Sequence, residues 1–244
     1  MLMEDRLTDE TEQQTKLDLT LLANFVHQVV NPLNGVAGTL DNLVEGTIQG
    51  EDRRQQRLNA ARAQLEQCIT LIRNLAFLAQ GRGGIAVDDR RKIVLPQVII
   101  ESAMFFQEDG RSKNIDINLL DRHTQNTISG HPELIRQVLM NIFDNFIKYG
   151  KLGFPVEVDQ RIQKSSGMAL IEIKGISAHP IDQDDLNKIG TLGFRGKNAK
   201  KIIASGSGLG MYICKKLIEE QGGSLHVEAG SQGNVLFLIK LPIQ

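Results

Sequence analysis

The sequence predicts an α+β chain in two parts. A long two-helix hairpin pairs with a second copy into a four-helix bundle, and an α/β sandwich domain follows. Three observations carry the prediction. Apolar residues recur every three or four positions over two long N-terminal stretches. Glycines crowd into Gly81-Arg82-Gly83-Gly84, a composition that favours a hinge. Beyond it, short apolar runs of strand length alternate with amphipathic helical segments.

Residues 1–14 are polar and acidic and are expected to be irregular. The first helix is predicted from about Lys16 to Ile48, with Leu19, Leu22, Phe25, Val29, Leu33, Val36, Leu40 and Leu43 as one stripe. A Gln-Gly-Glu-Asp turn follows near Gly50. The second helix is predicted from about Arg53 to Gln80, marked by Leu58, Leu65, Ile69, Ile72, Leu75 and Leu78. Such a hairpin cannot bury both faces alone, so a homodimer is expected. The hairpin domain is placed at 15–81 and the second domain at 85–244. In the latter, strands are expected near 91–95, 115–120, 155–163, 168–174, 224–229 and 234–241. Helices are expected near 96–109, 131–148 and 207–221, on one face of a single antiparallel or mixed sheet. Residues 182–205 lack strong periodicity and hold Lys188, Arg195, Lys197, Lys200 and Lys201, so a mobile basic lid is expected there.

Composition excludes several classes. The chain has 244 residues, 41% of them hydrophobic, which is enough for a core. Its net charge of −1 supplies no basic excess to draw nucleic acid or a membrane surface. Cys68 and Cys214 lie far apart in amphipathic patterns, with neither disulfide-framework nor metal-ligand spacing, as in a reducing compartment. No apolar run reaches spanning length and no signal peptide opens the chain, so a cytoplasmic protein without membrane insertion is expected. Only about fifteen polar residues precede the first predicted helix, so any regulatory input is expected to come from elsewhere or from a partner, such as a separate sensor protein.

The segment HPELIRQVLMNIFDNFIKYG, His131–Gly150, is the most informative. Ile135, Val138, Leu139, Ile142 and Phe146 form an apolar face, and Asn141, Asn145 and Lys148 form a polar row at i, i+4 and i+7. Carboxamide oxygens can ligate a hard cation such as Mg²⁺, and a lysine can reach phosphate. Later, Gly206-Ser207-Gly208-Leu209-Gly210 opens the run MYICKKLIEE. Glycines at a helix start let backbone N–H groups approach phosphate oxygens, where the helix dipole favours negative charge. Together these residues predict a nucleoside triphosphate held between an asparagine-bearing helix and a glycine-rich lid. Upstream, His27 falls two residues after Phe25 and two before Val29, roughly opposite the apolar stripe and facing solvent. Asn31 is one turn on, and Pro32 lacks the N–H that would bond the carbonyl of Gln28, so a bend is expected there.

These strings resemble the catalytic core of a two-component sensor histidine kinase over roughly residues 15–244. Asn141, Asn145, Lys148 and Tyr149 are similar to that family's N box, and Gly206–Gly210 to its second glycine box. Gly193-Phe194-Arg195-Gly196 is similar to part of its ATP lid. His27-Gln28-Val29-Val30-Asn31-Pro32-Leu33 is similar to the H box. The resemblance implies an ATPase domain of the histidine kinase type, with ATP and Mg²⁺ as cofactors. Asn145 would be the main metal ligand with Asn141 beside it, Lys148 would reach phosphate, Arg195 of the lid would help bind the nucleotide, and Tyr149 would pack near the base. Gly206, Gly208, Leu209 and Gly210 would shape the phosphate loop. His27 would take the γ-phosphoryl group and pass it to an aspartate on a response regulator receiver domain.

The resemblance breaks at two places. An acidic residue usually follows the histidine, and this chain has Gln28, which can hydrogen-bond the ring but cannot take its proton. Asn31 stands where the family positions water for dephosphorylation of the partner, which implies phosphatase activity as well. In the first glycine box the aspartate position holds Gly175, before Ile176-Ser177-Ala178-His179-Pro180. Loss of a hydrogen bond to a charged group costs about 1.5–3 kcal/mol, roughly ten- to a hundredfold in affinity. Three readings therefore stand: an active dimeric kinase, a non-catalytic phosphotransfer or scaffold relative with a decayed ATP domain, and another ATPase sharing this nucleotide fold.

Overall fold

The computed structural model describes residues 26–27, 29–80, 90–203 and 208–243. They fall into two compact units, one made of the helices up to residue 80 and one from residue 90 onward.

In the first unit, α1 (26–44) turns through 45–50 into α2 (Glu51–Gln80). Gly46 (φ +70°) and Gly50 (φ +89°) take left-handed conformations in the turn, which a side chain would oppose. Glu51 and Asp52 in the first turn of α2 suit the positive end of its dipole. Val36 packs inward with Ala61, Cys68 and Leu71, all under a tenth exposed. The Cys68 thiol donates to the carbonyl of Val29 at 3.5 Å, and burial pushes its pKa up. The predicted stripe therefore splits. Leu33, Leu40, Leu58, Leu65, Ile69 and Ile72 remain exposed on this hairpin. The first helix ends at residue 44 rather than 48, because Gly46 breaks it. Leu19, Leu22, Phe25, Gln28 and the 81–84 linker lie outside the described residues.

The second unit starts with β1 (Arg91–Val94), α3 (Leu95–Met104) and α4 (Gln107–Lys113). Then come β2 (Ile117–Leu119), β3 (Thr127–Gly130), α5 (Pro132–Tyr149), β4 (Val156–Gln163) and β5 (Met168–Ile176). Two short helices, α6 (Gln183–Leu186) and α7 (Lys197–Ile202), precede α8 (Gly210–Glu220), β6 (Ser224–Ala229) and β7 (Asn234–Pro242). Five strands form one mixed sheet in the order β2-β4-β5-β7-β6, parallel only between β2 and β4. Val235, Phe237, Ile239 and Leu241 alternate inward along β7, as do Val156 and Val158 on β4. Against them lie Ile135, Val138, Leu139, Ile142 and Phe146 of α5 and Ile213, Leu217 and Ile218 of α8, all buried. The periodicity of these two helices explains their packing: one apolar stripe each, laid side by side on one sheet.

Two expectations are corrected. The β-structure is two sheets, since β1 pairs with β3 in a separate antiparallel ribbon. Strand β3 escaped the sequence reading because Thr-Ile-Ser-Gly holds one large apolar residue, Ile128. The single helix expected over 96–109 is α3 and α4, divided at Phe105–Phe106, where Phe106 turns inward against Phe143. The stretch expected as a basic lid holds two short helices within 182–203, and Asp185 ties them: its Oδ2 accepts from the Lys197 N–H at 2.8 Å at the start of α7.

Candidate functional site

In the first unit, His27 and Asn31 are both exposed on α1, and the helix continues through Pro32. An imidazole in that setting can be approached by a nucleotide or another protein. Gln28 lies outside the described residues.

In the second unit, Asn141, Asn145, Lys148 and Tyr149 all lie on α5, which meets α8 along its length. Asn141 is 8% exposed, and its Nδ2 is sealed from solvent with no hydrogen-bond partner. Leaving a buried donor unmade costs about 1–3 kcal/mol, so this amide sits in the interior at a cost to the fold. Beside the amide, the Cys214 thiol is pushed up to about 12, mainly by burial, with Asn141 pulling the other way. It is a neutral packing group rather than a nucleophile. Asn145 is half-buried, and its Nδ2 donates to Met211 Sδ at 3.2 Å. Lys148 is not a bare ammonium: its Nζ meets Asp144 Oδ2 at 2.6 Å, one helical turn back. Tyr149 ends the helix, and its carbonyl accepts from the N–H of Ala178 (2.8 Å) and the hydroxyl of Ser177 (3.4 Å). These bonds bring the end of α5 to the segment that follows Gly175.

Gly175 itself is packed from above. A Cβ there would lie 2.6 Å from Phe146 Cε1 and 2.9 Å from Cδ1. The Phe146 ring is 4% exposed and set edge-on to Phe237 at 5.5 Å. Position 175 is therefore glycine for a packing reason, and a carboxylate would have to displace a core ring.

The start of α8 has no side-chain cap, and Leu209 occupies its N-cap. Gly208 precedes it at φ +67°, where a Cβ would lie 2.6 Å from the Gly193 carbonyl carbon and 2.7 Å from the Phe194 oxygen. Only glycine fits this crossing. Gly210 is less constrained, since its nearest neighbour would be Asn141 Cγ at 4.0 Å. Gly206 lies outside the described residues. Arg195 is half-buried and donates to the carbonyls of Ala199 (3.3 Å) and Ile203, bracing α7.

The donor set fits a magnesium–triphosphate pair. Among the described residues Asn145 Oδ1 accepts no hydrogen bond, and no cluster of three His, Cys, Asp or Glu side chains could hold a metal unaided. A Mg²⁺ bound here would complete its shell with phosphate oxygens and water, as this ion does. Sequence reasoning missed Asp144, Phe146, Asp185 and Met211 as shapers of the site. The Asp144/Lys148 spacing was visible as an i,i+4 pair; the other contacts are tertiary.

Both units match described protein families. The family described as "Histidine kinase-, DNA gyrase B-, and HSP90-like ATPase" matches residues 130–244. The family described as "His Kinase A (phospho-acceptor) domain" matches residues 18–84. Sensor protein KdpD of Clostridium acetobutylicum is 26% identical over 94% of this chain and 25% of its own. Sensor protein SrrB of Staphylococcus aureus is 25% identical over 98% of this chain and 40% of its own. The chain thus spans between a quarter and two-fifths of the curated relatives it matches. The Acinetobacter baumannii histidine kinase AdeS shares the fold, with a TM-score of 0.58 and 18% identity over 89% of this chain and 98% of that one. Full-length ShkA, solved in complex with AMPPNP, has a TM-score of 0.62 and 20% identity over 91% of this chain and 45% of that one. ThkA, solved in complex with the response regulator protein TrrA, has a TM-score of 0.59 and 19% identity over 98% of this chain and 66% of that one. With both domain families matched in order along it, the chain carries the core of a two-component histidine kinase.

Proposed function

We propose that this chain transfers the γ-phosphoryl group of ATP to His27, and from there to an aspartate of a response regulator, as a cytoplasmic homodimer. A neutral ring nitrogen of His27 supplies the electron pair for the new N–P bond. The bond between the γ-phosphorus and the bridging oxygen breaks, and ADP leaves. The ring's surplus proton passes to water, because Gln28 has no basic atom to take it. Asn145 and Asn141 would present oxygens to Mg²⁺, with Lys148 and the capless start of α8 near the phosphates. When bound, the metal would spread charge on the transferred group. Dimerisation is supported by the exposed apolar residues Leu58, Leu65, Ile69 and Ile72, which recur on α2 at near-heptad spacing. The response regulator partner is supported by the ThkA–TrrA complex among the structures of similar fold.

The observation that carries the proposal is the solvent exposure of His27 in a chain whose two units match the phospho-acceptor domain model and the ATPase model. Incubation with γ-labelled ATP should give acid-labile, alkali-stable label on the wild type and none on His27→Ala. Label that persists in the variant refutes the assignment. Asn31, exposed one turn away, would position water for dephosphorylating the partner. Asn31→Ala should then lengthen the lifetime of the phosphorylated regulator, and an unchanged lifetime removes that activity. The non-catalytic scaffold reading is favoured by one feature, the Phe146 ring that excludes a carboxylate at 175. Absence of nucleotide binding by calorimetry would select it.

A further inference from the structure

Two sulfur-bearing residues of α8 face two carboxamides of α5. Met211 and Cys214 are three apart on one helix, and Asn141 and Asn145 four apart on the other, so each pair shares a helix face. The contact at the outer end is a hydrogen bond from Asn145 Nδ2 to Met211 Sδ at 3.2 Å. We propose that Met211 is a positioning residue that fixes which end of the Asn145 carboxamide is offered to the metal. The inference rests on the reading of Asn145 as a Mg²⁺ ligand.

The contact is chemically one-sided. A thioether accepts weakly and has no proton to give, so only the NH₂ end of a carboxamide can face it. The amide group is planar, and Oδ1 is therefore turned away from Met211. Among the described residues it accepts no hydrogen bond. A hard cation takes oxygen and is repelled by an N–H. Without the sulfur, the two orientations related by a half-turn about the last torsion would be nearly equivalent, and a large share of molecules would present the wrong atom. Once Oδ1 met a cation, the NH₂ behind it would also lack an acceptor. A hydroxyl or amide in place of the thioether could donate as well as accept, and would not select an orientation. Cys214 does not supply this function at the inner end. Its thiol donates to the carbonyl of Val138 at 3.8 Å, and Asn141 Nδ2 has no partner.

Met211→Leu keeps most of the volume and removes the acceptor. Two measurements test it on the whole chain. In nucleotide-free protein, the side-chain NH₂ resonances of Asn145 are identified by their loss in Asn145→Asp. Met211→Leu should shift them and speed their exchange. In calorimetry, the gain in affinity for a non-hydrolysable ATP analogue on replacing EDTA by Mg²⁺ should shrink about 2-fold in Met211→Leu, because about half of the carboxamides would then present nitrogen. Affinity in EDTA should not move; a purely structural role would lower both. If Asn145→Ala abolishes the Mg²⁺ gain while Met211→Leu keeps all of it with unmoved Asn145 resonances, the positioning role is wrong and the ligand reading stands. If Asn145→Ala leaves the gain intact, the ligand reading falls and the inference with it.

Discussion

Gly175→Ala adds a single carbon at the point where the first glycine box of the family departs in this chain. Its Cβ would sit 2.6, 2.9 and 3.3 Å from three atoms of the Phe146 ring, against an ordinary carbon–carbon contact of about 3.5–4.0 Å. The ring would have to retreat by about 1 Å. Its edge-on contact with Phe237 opposes this, as does its place on α5, whose carbonyl at 146 binds the Gly150 N–H at 2.8 Å. Overpacking of this kind costs about 1–3 kcal/mol. The stiffer unfolded chain returns about 0.4–1 kcal/mol, for a net loss of about 0.5–2 kcal/mol. Urea unfolding measures it cleanly. The chain has no tryptophan, and both its tyrosines, Tyr149 and Tyr212, lie in the second unit. Tyrosine fluorescence therefore reports that unit. Gly175→Asp should lose more, since it adds a half-buried carboxylate to the same clash. Phe146→Leu should make either substitution milder than in the wild-type background. An alanine variant as stable as the wild type, or an aspartate variant that binds ATP more tightly without loss of stability, would refute the packing argument.

Two further predictions concern the helices. Ile69→Asp combined with Ile72→Asp puts charge on the exposed apolar face of α2 and should convert a dimer into monomers by light scattering; an unchanged mass would place the dimer contact elsewhere. Cys214 gives a pH effect. Its folded pKa of about 12 lies above the ordinary value of 9.0, so stability is intact below pH 9 and falls as the unfolded thiol ionises above it. The slope is up to about 1.4 kcal/mol per pH unit, continuing until the folded pKa is reached. Cys214→Ala should remove this part of the alkaline loss, and equal pH profiles for the two proteins would contradict it.

The helices that carry the site were legible because their periodicity is strong. On α5 every residue of the expected apolar face, Ile135 to Phe146, is buried, and the polar row beside it holds both asparagines. The α8 start was legible from its glycines, although of the two described ones, Gly208 and Gly210, Gly208 alone has a steric reason to be one. What the sequence withheld is pairwise. Nothing local says that Phe146 covers Gly175, that Asp185 begins α7, or that Met211 meets Asn145, because these partners lie 12 to 66 residues apart. The hairpin stripe was read as a single face because Val36 and Leu40 share one period. Only tertiary packing sorts Val36 inward and leaves Leu40 exposed.

The crossing of Gly193 and Gly208 also bears on how lengths can vary. The backbone at Gly193 and Phe194 lies at nearly the same point in space as Gly208, so residues added between these points need not move either end. Doubling such a loop adds only about 0.6 kcal/mol of closure entropy. Insertions there should be borne by the fold, whereas any side chain at 208 would pry the two ends apart.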